Sequence, residues 1–222
     1  MQGIKKIIYN LIPFKSLLKI LDEKLLNNRI RRILIKSSEQ DKYKDSVIRI
    51  RLLKQYKDMT YWNFFFDHII SNKVEGDIVE CGVGNGQTMS YILYNLISKK
   101  ELSSRLCFGF DSFEGFPEPH EKDKSPRNPL KGQWNHVDEK FVLSNLIDLG
   151  FNSESFKKIK LVKGFFDESF KSSNLNINKI SLLHLDCDIY PSYKISLETW
   201  FDKVEKNGII VFDEYLNTKE VF

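Results

Sequence analysis

Val79-Glu80-Cys81-Gly82-Val83-Gly84-Asn85-Gly86-Gln87-Thr88 is the stretch on which the reading of this chain turns. A short apolar run meets three glycines at alternate positions, and helical patterning resumes at Gln87. Strand, glycine turn and helix in that order make a nucleotide-type loop, because glycine lets the backbone turn tightly and approach a ligand, and the start of a helix offers unpaired N–H groups. The spacing Gly82-x-Gly84-x-Gly86 differs from the Gly-x-Gly-x-x-Gly of dinucleotide-binding folds, and the Lys and Ser or Thr of a phosphate-binding loop are missing. Glu80 stands two residues before Gly82, where a carboxylate repels a pyrophosphate and favours a cationic ligand.

Outward from this loop, short apolar runs alternate with helical patterns, the signature of a parallel sheet covered by helices. The predicted strands are 77–81, 105–110, 158–162, 181–186 and 208–212, and the predicted helices 87–98, 137–149 and 192–204. Continuous apolar character in the last two strands suits burial on both faces. The division expected is a helical region over residues 1–73, serving as cap or oligomerisation element, and an α/β domain over 74–222. Between Glu114 and Trp134 lies a polar stretch with Pro117, Pro119, Pro126 and Pro129, and with Gly115 and Gly132 near its ends. So long a connection just after a strand end is expected to be a lid over a bound ligand.

Two acidic groups add chemistry to the loop. Asp111 ends the second strand about 30 residues after the glycines, where its carboxylate can accept both hydroxyls of an unphosphorylated ribose; capping a following helix is its plainer role. His184-Leu185-Asp186-Cys187-Asp188-Ile189-Tyr190 follows the fourth strand, and Asp213-Glu214 ends the fifth. Asp186 and Asp188 point together if the strand extends that far, since alternate strand residues share a face. In open parallel sheets ligands bind beyond the carboxyl ends of the strands, so these acids should converge beside the glycine loop. Four carboxylates there repel one another unless a cation or proton intervenes, and oxygen ligation suits magnesium, calcium or manganese better than zinc. His184, inside an apolar strand, reads as a satisfied core histidine rather than a ligand. His120, Trp134 and His136 of the lid, with Tyr190 and Tyr215 beside the acids, could line an acceptor pocket or simply pack.

The charge balance is +4 overall but uneven, with 15 Lys and Arg against 6 Asp and Glu in residues 1–60. Apolar residues recur there at helical spacing (Ile4, Ile7, Ile8, Leu11, then Leu17, Leu18, Leu21, Leu25), so helices packed on the domain or on a second subunit are favoured over a nucleic-acid or membrane surface. Lysines interrupt the apolar residues of the N-terminus before a signal peptide or transmembrane segment can form. Cys81, Cys107 and Cys187 are odd in number and widely spaced, which fits neither a disulfide framework nor a zinc site and points to a reducing cytoplasm. Cys187, between two acids, is a poor nucleophile.

Together, residues 80–86, 109–117, 184–190 and 213–215 resemble the macrocin O-methyltransferase family, whose motifs stand in the same order over about residues 74–216. The resemblance implies a Rossmann-like class I methyltransferase sheet, S-adenosylmethionine and Mg2+ as cofactors, and methylation of a hydroxyl on a sugar or glycoside acceptor. It places Glu80, Gly82, Gly84, Gly86, Thr88, Asp111 and Ser112 at the cofactor, Asp186, Asp213 and Glu214 at the metal, and Asp188 as general base. Glu214 stands where the family usually has Asp. Family members continue into a further helix and strand hairpin, so a sheet short of its C-terminal strands is expected, and with it an alternative function as a non-catalytic methyltransferase-like binding protein.

Overall fold

A computed structural model describes residues 56–172 and 174–213. The N-terminal apolar repeat of residues 4–25, Glu214 and Tyr215 lie outside the described residues.

The described chain opens with helix α1 (Tyr56–Ser71), whose buried Trp62, Phe66 and Ile69 recur at the three- and four-residue steps that make one helix face. Strand β1 (Asp77–Cys81) runs through the glycine turn into α2 (Gln87–Ser98), followed by β2 (Cys107–Asp111). A long irregular segment holding one 3-10 turn (Glu121–Asp123) leads to α3 (Glu139–Leu149). Asp138 caps α3 by accepting from Phe141 N at 2.7 Å, and Gly150 stops it in the left-handed conformation at φ 101°. Then come a single turn α4 (Ser153–Phe156), β3 (Ile159–Lys163), a second short turn α5 (Phe166–Ser169), β4 (Ile180–Leu185), α6 (Tyr190–Trp200) and β5 (Val204–Phe212).

The five strands of the described residues are parallel, in the order β3-β2-β1-β4-β5. Chain order reverses between β1 and β4, so the crevice beyond their carboxyl ends is the switch point at which such sheets bind ligands. Strand parity sorts the two faces. Val79, Cys81, Phe108, Phe110, Leu183 and Leu185 form a hydrophobic core on one face with Phe170 and Trp200. The alternate residues, including Glu80 and His184, face the other way, where Trp62 of α1 meets the His184 ring edge-on at 5.1 Å. Among the described residues no helix is long and apolar enough to cross a membrane.

Several boundaries differ from the sequence expectation, by one or two residues at β3 and α3 and more consequentially elsewhere. β2 begins at Cys107 rather than Arg105, whose guanidinium instead donates to the carbonyls of Val74 (2.8 Å) and Gly76 (2.7 Å) below the sheet. β4 ends at Leu185, and Asp188 adopts a left-handed φ of 62°, so the alternation proposed to align Asp186 with Asp188 does not operate. Helix α6 occupies Tyr190–Trp200 rather than 192–204, because a 3-10 turn at Phe201–Lys203 ends it. β5 starts at Val204, before the polar Glu205-Lys206-Asn207, and its register against β4 shifts between Ile180 and Leu182.

Candidate functional site

The glycine turn is shaped by close approach. At φ +91°, Gly82 lies so near the Asp186 carbonyl that a Cβ would overlap it, and Asp186 N donates to Cys81 O at 2.9 Å. The loops after β1 and β4 are thereby clamped together. Gly86 begins α2 at φ 82°, with Val142 of α3 2.7 Å from where its Cβ would be. Gly84 also has positive φ, but no atom lies within 4 Å of its missing Cβ. Its backbone borders open space.

That space is a cavity of about 360 Å3, lined by Gly82, Gly84, Asp111, Ser112, Asp186 and Asp188 among others. Phe165 and Phe166 give it apolar wall, and Phe116, Arg127, Trp134 and His136 bring the long loop over it. The loop's two ends are tied by Phe116 N to Gln133 O (3.0 Å) and Gly132 N to Phe116 O (2.9 Å), which makes 116–133 a compact surface loop. Further attachments hold it to the segment after β4, among them Lys122 Nζ donating to Tyr190 OH at 3.1 Å. Asp123 Oδ1 accepts from Tyr190 N at 2.6 Å, and Arg127 Nη1 lies 2.5 Å from Asp188 Oδ1. Both Arg127 and Asp188 are half-buried.

Apart from Asp213 and Glu214, the predicted site residues divide into three groups. Gly82, Gly84, Asp111, Ser112, Asp186 and Asp188 share the cavity. Asp111 is neither free nor a helix cap: Oδ2 accepts from Val83 N and Gly84 N, each at 2.9 Å, and Oδ1 from Phe113 N at 2.8 Å. It braces the glycine turn from the next strand. Gly86 and Thr88 lie at the start of α2, outside the cavity lining, where Gly86 shapes the turn. Glu80 also lies outside that lining: it is 1% exposed, and its Oε1 is 3.3 Å from His184 Nδ1. The register of β1 against β4 sets Glu80 beside His184, so Glu80 takes part in a buried pairing across the two strands. Glu80 Oε2 has no hydrogen-bond partner among the described residues.

His184 links this pair to the acids. Its Nε2 is 3.8 Å from Asp213 Oδ1, and one ligand atom each from His184, Asp186 and Asp213 lie within 4.8 Å of one another. Burial alone would lower the imidazole's pKa, but the neighbouring Asp213 and Glu80 carboxylates outweigh it and push it up to about 10. Burial pushes Glu80 up as well, while His184 pulls Asp213 down. A proton therefore stays within the Glu80–His184 pair through neutral pH. Asp213 and Asp186 offer donors suited to a divalent cation, with Glu214 beyond the described residues. The cysteines are free and buried, and burial raises the thiol of Cys81 to about 12.

Sequence reasoning missed Arg127 and the pairing of Glu80 with His184. Nothing local marks Arg127, one of several basic residues in a polar loop. The Glu80–His184 pair did leave a trace, since each stands two residues before a chemical landmark, Gly82 and Asp186, on strands that such a topology sets side by side.

Solved structures sharing this architecture are methyltransferases. The O-methyltransferase NovP superposes with a TM-score of 0.61 at 23% identity, covering 72% of this chain and 65% of NovP. The calicheamicin methyltransferase CalS11 gives 0.64 at 22%, covering 87% of this chain and 78% of CalS11. Its apo form, described as a TDP-rhamnose 3'-O-methyltransferase, gives 0.56 at 22%, covering 89% and 80%. At these identities the likeness establishes the fold, a Rossmann-like class I methyltransferase sheet. The chain belongs to the macrocin-O-methyltransferase (TylF) family, whose profile matches residues 36–222. Demethyldecarbamoylnovobiocin O-methyltransferase of Streptomyces niveus is 24% identical over 154 residues, or 68% of this chain, and the match spans 56% of that relative's length.

Proposed function

We propose that the protein is an S-adenosylmethionine-dependent O-methyltransferase acting on a sugar hydroxyl, with Asp188 as general base and a divalent cation, Mg2+ in the simplest case, held by Asp186 and Asp213. The observation carrying this reading is the single cavity that joins the open glycine turn at Gly84, the Asp111 brace and the Asp186 and Asp188 carboxylates. Its volume lies within the range of small-molecule sites, and its mixture of three phenylalanines with carboxylates suits a ligand that is part aromatic and part cationic. Family membership supports methyl transfer, and CalS11, described as a TDP-rhamnose 3'-O-methyltransferase, supports a sugar-bearing acceptor.

When bound, S-adenosylmethionine supplies a sulfonium methyl carbon open to in-line displacement by oxygen, the electron pair of the broken C–S bond remaining on sulfur. The cation supplies charge that makes an acceptor hydroxyl more acidic. Asp111, already aimed at the glycine turn, holds ribose hydroxyls by exchanging its backbone hydrogen bonds for theirs. Asp188 takes the acceptor's proton once it parts from Arg127, since Oδ1 is engaged at 2.5 Å before then. The loop carrying Phe116, Trp134 and His136 covers the reacting atoms and keeps water out.

The reading is tested by incubating the full 222-residue chain with radiolabelled S-adenosylmethionine, a divalent cation and a panel of nucleotide-activated deoxysugars. Label transferred to a sugar oxygen, and lost on adding a chelator, is the expected result. Transfer to none of the sugars by a protein that binds the cofactor would overturn the sugar acceptor.

A further inference from the structure

We propose that His184 is itself a metal ligand, through Nε2, so that the cation site is a His184–Asp186–Asp213 triad that prefers Mn2+ to Mg2+. The inference rests on the cation assigned under the proposed function and changes its donor set and its selectivity.

Four observations carry it. His184 is 1% exposed and held on an interior strand, with the Trp62 ring perpendicular to its own at a centroid distance of 5.1 Å, so the ring has little freedom to turn. Its Nδ1 is taken by Glu80 at 3.3 Å. Its Nε2 faces the cluster but stops 3.8 Å from Asp213 Oδ1, beyond hydrogen-bond reach. The donor atoms of His184, Asp186 and Asp213 nevertheless fall within 4.8 Å of one another, a spread that one cation can close.

Metal-binding histidines commonly give their second ring nitrogen to a carboxylate, which fixes the tautomer and the ring orientation. Glu80 stands in that place. A core histidine needing only satisfaction would be served as well by a backbone carbonyl or a neutral hydroxyl, at a smaller desolvation cost than a fully buried carboxylate. An imidazole nitrogen in place of an oxygen raises affinity for first-row transition ions relative to Mg2+, which keeps an oxygen shell and dehydrates reluctantly. Carboxylates at the other two positions make Mn2+ the ion that suits both donor types.

The test loads the full chain with Mn2+ alone and records its electron spin echo envelope modulation, which detects a directly bound nitrogen. The expected result is 14N modulation that persists in the double variant His120→Gln, His136→Gln and disappears in His184→Gln. Glu80→Gln should weaken Mn2+ binding by about 10–100-fold, and Mn2+ should outcompete Mg2+ at equal concentration. Bound Mn2+ without nitrogen modulation, or modulation lost in the double variant, overturns the His184 ligand and leaves the cation of the proposed function standing. No Mn2+ or Mg2+ binding by the folded wild type overturns both. Should His184→Gln fail to fold, the wild-type and double-variant spectra still decide, because the remaining histidine, His68, hydrogen-bonds Asn207 O at the opposite, amino-terminal end of the strands.

Discussion

Arg127 Nη1 lies 2.5 Å from Asp188 Oδ1, so the loop roofing the cavity is fastened to the carboxylate proposed to accept the acceptor's proton. Covering the cavity and freeing the base are thereby coupled: the charge that docks the loop also occupies the base.

Asp188→Asn should leave cofactor affinity within about twofold and lower kcat by about 10²–10⁴-fold, the span expected of a general base. Arg127→Gln should keep the base but loosen the loop, so that proteolytic cleavage between Pro117 and Asn135 becomes faster. Steady-state kinetics and limited proteolysis read the two effects separately. Near wild-type turnover in Asp188→Asn would remove Asp188 from the chemistry, and unchanged cleavage in Arg127→Gln would remove the ion pair as a fastening.

The glycines of the turn should respond unequally to one methyl group. Gly82→Ala meets the Asp186 backbone and should cost about 3 kcal/mol, as overpacking and backbone strain combine. Gly84→Ala has open space and pays only for its left-handed backbone, about 1 kcal/mol, yet its methyl enters the cavity and should weaken cofactor binding. Urea denaturation of the two variants checks the order. Equal costs would mean that the two loops are not clamped as described.

How much of this was legible in the sequence depends on whether the signal was local. β1 and α2 are found at 77–81 and 87–98 as predicted, because an apolar run ending in glycines marks both boundaries at once. The first residues of β5 were missed because Glu205-Lys206-Asn207 are polar and Asn207 takes a left-handed φ of 66°, so neither hydropathy nor propensity marks a strand there. Asp111 was found by position, but its partners Val83 N and Gly84 N come from a loop 27 and 28 residues earlier, a pairing that only the β1–β2 contact creates. Arg127 and the Glu80–His184 pair belong to the same class. Their meaning lies in what the sheet places beside them.

Stability should fall as pH rises from neutrality in the metal-free protein. His184 has its folded-state pKa raised to about 10, so its contribution is fully present below its unfolded value near 6.5 and is lost as pH climbs through 10. Glu80, also raised, acts in the same direction, whereas Asp213, lowered, loses its contribution only in acid. Melting temperatures measured in chelator at pH 7 and pH 10 should therefore drop, and drop less in His184→Gln. A flat or rising profile would mean that the imidazole is not held in its charged form.

The most direct measurement is calorimetric titration of the full chain with S-adenosylhomocysteine, for wild type and for Asp111→Asn. Binding at one site per chain is predicted, weakened by about 10–100-fold in the variant, which loses one charged hydrogen-bonding group at the glycine turn. A folded wild-type protein that releases no heat and shows no binding would contradict the assignment of the cavity beneath Arg127 and beside Gly84 as a methyl-donor site.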